Sequence, residues 1–171
     1  MAKASKTLDD LFYDTLKDIY FAEKKVLATL PKMMKAAQHD ELRGAFEKHR
    51  GETQKHVERL EQVFAMIGKK PQAKTCAAIV GITDESAEIM EDYKGSPALD
   101  AGLLAAAQAV EHYEITRYGT LRTWAEELGL SKAAKLLQAT LKEEEATDKA
   151  LTAIAEEVVN RAAEIEQEEA A

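Results

Sequence analysis

One cysteine, Cys76, stands alone in this sequence, so no internal disulfide can form and nothing calls for an oxidising compartment. Three prolines and eight glycines in 171 residues leave long stretches without a helix breaker. Basic charge is also short: the formal net charge of −8 excludes broad phosphate-backbone binding, and no nucleic-acid partner is expected. No apolar run is long enough to span a bilayer, and MAKASKTLDDLF lacks the apolar core of a signal peptide. The expectation is a cytoplasmic protein without a membrane partner. Part of the acidity sits in the tail AAEIEQEEAA, which reads as a solvated or fraying terminus.

What is present is helix-forming. Ala, Leu, Glu and Lys dominate, with 46% apolar and 32% charged residues, as in a soluble globular protein. The length favours one domain over residues 1–171. Apolar residues recur at helical spacing in four long segments, about 7–38, 41–67, 97–128 and 132–163, with a shorter helix at about 75–93. Thr7 and Asp10 make a capping-box start. Asp40, Ser96 with Pro97, and Ser131 are the expected caps of the later long helices, and Gly68 and Gly129 end two of them. Tight turns join the first helix to the second and the third to the fourth. A long middle connection separates the two hairpins. This is the pattern of an all-α, ferritin-like four-helix bundle whose one long crossover carries the extra shorter helix.

Each long helix places acids among its apolar stripe. Glu23 falls between Ile19 and Leu27. Glu52 shares a side with His49, Thr53 and His56. Glu111 and Glu114 sit one turn apart on the third long helix, and Glu144 and Asp148 lie between Leu141 and Leu151 on the fourth. A lone glutamate on a helix is ordinarily solvated. Acids placed mid-stripe on all four helices are a different matter, because a buried ionised carboxylate costs several kcal/mol. Arg122 is eleven residues from Glu111, roughly 16 Å along the axis, too far to neutralise such a cluster. One or two metal ions would neutralise it, and oxygen-rich sites with a histidine suit iron or manganese. The expected ligands are Glu23, Glu52, His56, Glu111, Glu114, Glu144 and Asp148, with Glu52 and Glu144 as bridging candidates. The usual Glu-x-x-His unit of di-metal bundles is absent: Glu52 and His56 are spaced i, i+4, and the fourth helix offers no histidine. Tyr20 and Tyr118, one turn from Glu23 and Glu114, are placed to hydrogen-bond the acids.

The segments DIYFAEKKVLATLPKM, FEKHRGETQKHVERLEQVF, AAAQAVEHYEITRYGTL and KAAKLLQATLKEEEATDKALTAIA resemble the YciE/YciF family of bacterial ferritin-like stress proteins, in the same order and over nearly the whole chain. VEHYEI…YGTL and EEEATD are the most specific parts. The resemblance implies a rubrerythrin-like bundle, a homodimer, a link to stress response and a di-metal site built on the same acids, with His49 standing behind the ligands. The function expected is therefore a stress-response protein whose two iron or manganese ions act on peroxide or oxygen. No rubredoxin-like cysteine motif is present, so electrons would come from an external donor. The rival expectation is a non-enzymatic stress bundle with an empty or vestigial site, whose function lies in a surface or a partner.

Overall fold

The structure is a computed structural model that describes residues 5–170, with side chains through residue 165. Its elements are α1 (Leu8–Ala36), α2 (Asp40–Met66), α3 (Ala77–Asp92), α4 (Leu99–Glu127) and α5 (Ser131–Ile154). A π-helical turn, Ala155–Val159, then leads into α6 (Asn160–Ala170). There is no strand among the described residues. The solvation expected of the acidic tail from residue 166 onward lies outside the described side chains.

The capping box forms as its sequence predicts: the Asp10 amide donates to Thr7 Oγ1, and the Thr7 amide donates back to the Asp10 carboxylate. Gly68 and Gly129 adopt φ of +68° and +71°, the left-handed conformation that glycine enters without a Cβ penalty. The other caps differ from expectation. Helices α2, α4 and α5 begin after His39, Ala98 and Leu130, none of which makes a side-chain cap bond. Ser96 instead accepts from the Ala98 amide two residues on, and the Asp40 carboxylate turns to Arg43.

Helix α1 packs on α2, α2 on α5, α5 on α4, and α4 on α1, which closes a four-helix ring. The crossover helix α3 lies against α1 and α4, over the line where they meet. The fold is the ferritin-like bundle expected from the hydrophobic pattern. Apolar layers fill its two ends. Phe12, Leu16, Phe64, Leu121 and Leu137 are buried toward the start of α1, and Leu30, Met33, Leu42, Phe46 and Leu103 toward its end. Each contributes about 2 kcal/mol of burial. The π-turn changes the last helix from expectation. One extra residue in a turn rotates the rest of the helix by about 100°, so Val159 is buried and Val158 only partly so.

The α1–α2 turn is held from outside. Asp100, 1% exposed on α4, accepts from the Gln38 amide at 2.9 Å, the His39 amide at 2.7 Å and His39 Nδ1 at 2.8 Å. Its charge also complements the positive end of α2. Removing the carboxylate strands buried amide donors. Asp100→Ala is expected to cost about 3 kcal/mol, which lowers Tm by roughly 10 °C in a domain of this size. A thermal melt within about 2 °C of the parent would contradict this assignment.

Candidate metal centre

Between the two apolar layers the bundle interior turns polar. Glu23, His56, Glu114 and Glu144 have no measurable exposure, Glu111 has 1% and His49 has 4%. Helical geometry explains who points inward. His49 and His56 are seven residues apart and face within about 20° of each other. Glu144 aligns in the same way with the buried Leu137 and Leu151, one heptad to either side.

Two groups of ligand atoms result. One atom each from His49, Glu111, Glu114 and Glu144 lie within 4.8 Å of one another, and so do one atom each from Glu23, His56 and Glu144. Glu144 belongs to both. His49 Nε2 is 3.1 Å from Glu111 Oε1. His56 Nδ1 is 3.0 Å from Glu144 Oε1 and 3.4 Å from Glu23 Oε1. None of these contacts is an aligned hydrogen bond. Glu23 Oε2, Glu111 Oε2, both oxygens of Glu114 and Glu144, both nitrogens of His49, and His56 Nδ1 are all buried without a hydrogen-bond partner.

Buried polar atoms in native proteins are nearly always satisfied. Here the orphans converge, most are anionic oxygens, and no lysine or arginine pairs with Glu23, Glu111, Glu114 or Glu144 among the described residues. The complement to such a set is a cation. Carboxylate oxygens with one imidazole per group could hold a metal ion.

Without a cation the cluster holds protons. Burial, then the charges of Glu144 and Glu23, push Glu111 well above the usual carboxylate range, and Glu114 is raised by burial and by Glu23, Glu144 and Glu111. Burial also raises Glu144, to about 7, although the contact with His56 opposes it. For His56, burial works against the charged form, but the contacts with Glu144 and Glu23 outweigh it and lift the imidazole to about 11. Burial, then the charges of His56 and Lys48, hold His49 down at about 3.

The expected set divides. Glu23, His56, Glu111, Glu114 and Glu144 come together. Glu52 does not join either group: its carboxylate is 3.0 Å from Lys48 Nζ and accepts from Thr147. It lies about 40–60° around the helix from the two histidines, which turns it to the α2–α5 groove. Asp148 also stays outside, 3.2 Å from His112 Nε2 and hydrogen-bonded by Gln108, because it sits about 40° off Glu144. His49, expected behind the ligands, stands within a group. Of the tyrosines, Tyr118 donates to Glu23, whereas Tyr20 donates to Glu61 at 2.9 Å. Arg122 pairs with Glu126, away from the cluster.

Arg59 is an addition that no single-helix pattern marks, and Glu143, next to Glu144 in sequence, stands behind the cluster. Glu143 Oε2 is 2.8 Å from His56 Nε2, and its carboxylate is gripped by both terminal nitrogens of Arg59. The Arg59 bonds, helped by His56, hold its carboxyl at about 2. This charged pair fixes the ring of His56 so that Nδ1 faces the cluster, as outer carboxylates do for metal-binding histidines.

The family model described as Domain of unknown function (DUF892) matches residues 7–164. Protein YciF of Escherichia coli (strain K12) is 45% identical over 160 residues, 93% of this chain and 96% of that protein. The crystal structure of the E. coli stress protein YciF superposes with a TM-score of 0.87 at 44% identity, over 91% of this chain and 99% of that one. YcfI from Rhodopseudomonas palustris gives a TM-score of 0.83 at 43% identity, over 89% and 97%. A protein from Xanthomonas campestris pv. campestris, at 20% identity and a TM-score of 0.73 over 94% and 99%, shares the fold.

Proposed function

The chain belongs to the DUF892 family, and on that footing we propose that its buried cluster is a two-metal carboxylate centre, holding iron or manganese, that acts on peroxide or oxygen in stress defence. The observation that carries the proposal is the sharing of Glu144 between two groups of ligand atoms. A carboxylate with two free oxygens between two such groups is the arrangement of a bridging ligand. The E. coli relative is described as a stress protein, which supports the same role here. The reading includes a cytoplasmic homodimer and an external electron donor, because a single cysteine cannot build a rubredoxin-like site.

Bound iron or manganese would supply the redox chemistry that consumes peroxide. The chain supplies placement and exclusion. Glu144 would serve both ions, Glu111 and Glu114 with His49 would hold one, and Glu23 with His56 would hold the other. Tyr118 donates to Glu23 Oε1 and leaves Oε2 free to face inward. Glu143 and Arg59 hold His56 from behind. The apolar layers above and below keep bulk water from the acids.

One observation favours the structural alternative. His56 contacts Glu23, Glu143 and Glu144 together, so as a cation it partly neutralises the cluster by itself. Elemental analysis separates the two readings. Protein purified without chelator or affinity tag and loaded anaerobically is expected to hold about two irons or manganeses per chain and to consume peroxide, and Glu111→Ala is expected to hold about one and to lose turnover. No metal after ferrous or manganous loading would leave the structural reading.

A further inference from the structure

The cluster is sealed by apolar layers at both ends of the bundle, so a reactant must come through a wall. Among the described residues, one weak place is where α1 and α4 meet under the crossover helix α3. A small cavity lies there, lined by residues of all three helices and by His49 of α2, and its inner end is formed by His49 and Glu111. Its volume is about 10 Å³, near the size that admits one water-sized molecule. Two larger hollows border the turn between α4 and α5 and touch none of the cluster acids.

The chemistry of the wall is selective. Most of the lining is apolar, and three hydroxyls interrupt it: Thr29 on α1, and Thr83 and Ser86 on α3. Each donates its proton to a carbonyl of its own helix, Thr29 to Lys25 at 2.9 Å, Thr83 to Ile79 at 2.9 Å and Ser86 to Ile82 at 2.8 Å. Their remaining lone pairs can only accept. No cationic side chain lines the cavity. His49, 4% exposed with both ring nitrogens unpartnered, stands at the inner end. A guest that fits is small, neutral and a hydrogen-bond donor. Anions meet lone pairs without a countercharge, and bulky hydroperoxides do not fit.

We propose that this cavity is the entry through which hydrogen peroxide reaches the His49–Glu111 side of the cluster, with Thr29, Thr83 and Ser86 as positioning residues that accept hydrogen bonds from it in passage. The inference rests on the two-metal reading above and adds to it the substrate and its route. Ala107, on the α4 wall of the cavity and 6% exposed, offers a plug. In Ala107→Leu the added carbons exceed the free space.

The test uses the ferrous-loaded full chain and two probes. Nitric oxide, a neutral diatomic that donates no hydrogen bond, reports access by its association rate in stopped flow, independently of turnover. Ala107→Leu is expected to retain its metal and to slow both nitric oxide association and kcat/KM for hydrogen peroxide by about tenfold, about 1.4 kcal/mol of added barrier. Thr83→Val keeps the shape and removes an acceptor. It is expected to leave the nitric oxide rate unchanged and to lower kcat/KM for hydrogen peroxide about fivefold, the loss of one hydrogen bond. Ser86→Val plugs the cavity from the α3 wall and carries the same expectation as Ala107→Leu if that variant does not fold. Full metal with unchanged rates in the plugged variants overturns the route and leaves the metal centre standing. Wild-type protein that binds no metal overturns the centre, and the route with it.

Discussion

Glu144→Ala is expected to bind neither metal ion, whereas His49→Ala loses one of the two. Among the described residues, Glu144 is the single side chain whose carboxylate belongs to both groups of ligand atoms. His49 belongs to one group only, and Glu23 with His56 completes the other. The measurement is metal per chain after anaerobic ferrous loading and desalting, about two for the parent, none for Glu144→Ala and about one for His49→Ala. Equal losses in the two variants would mean a single mononuclear site. Retention of two ions by Glu144→Ala would remove Glu144 from the bridge. Loss of the Glu144 charge acts oppositely on the fold without metal. Glu144 is fully buried, with neither oxygen hydrogen-bonded, beside Glu23 and Glu111. The isosteric Glu144→Gln relieves that repulsion and is expected to melt higher than the parent in chelator at pH 8.

Metal-free protein is expected to lose stability as pH rises from 6.5 to 9, and loading with manganese is expected to abolish or reverse that slope. The sign depends on where each proton sits. Glu144, raised from 4.5 to about 7, keeps a proton in the fold that the unfolded chain has released. Its contribution is complete below 4.5 and is lost as pH rises through about 7. Glu111 and Glu114, raised well above the usual carboxylate range by burial and neighbouring acids, add to the loss. His56, with burial outweighed by Glu144 and Glu23, contributes fully below 6.5 and loses that contribution as pH rises through about 11. Two groups pull the other way, outside this window. His49, held at about 3, favours higher pH only between 3 and 6.5, and the stability from Glu143, held at about 2, is already complete above 4.5.

Above pH 6.5 these cluster groups therefore act together. Each proton retained by the fold over that range costs roughly 1.4 kcal/mol per pH unit. One retained proton gives about 3 kcal/mol between pH 6.5 and 9, or roughly 10 °C in Tm. A metal ion takes its ligands deprotonated, so binding strengthens as pH rises and the loaded protein moves against the metal-free trend. Melts at four pH values in chelator and after manganous loading measure both slopes. A Tm in chelator that is flat or rising from pH 6.5 to 9 would show that the buried acids do not hold their protons.

Local chemistry written in the sequence accounts for much of the fold. Thr7 and Asp10 close a capping box between near neighbours, and Gly68 and Gly129 take left-handed turns that need only the absence of a Cβ. Apolar residues at period 3.6 define the long helices, and the lengths of the connections define which helices are antiparallel neighbours. The same periodicity puts Glu23, His56, Glu111, Glu114 and Glu144 in the interior, so the existence of a mid-bundle acidic cluster was legible from spacing alone.

Angular spacing resolves a side chain only to within about half a turn's width, and the ligand set depends on less than that. Glu52 and Asp148 sit about 40° from inward-facing neighbours, and the neighbours Lys48, Thr147, His112 and Gln108 decide that they turn aside. Packing likewise brought His49 into a group, joined Glu143 of α5 to His56 and Arg59 of α2, 87 and 84 residues away in sequence, and used Asp100 to secure a turn 61 residues away. These contacts depend on which faces of distant helices meet and at what height. One helix's hydrophobic pattern carries no term for that, so the sequence determined which residues are inside, and only the packed bundle determined which of them touch.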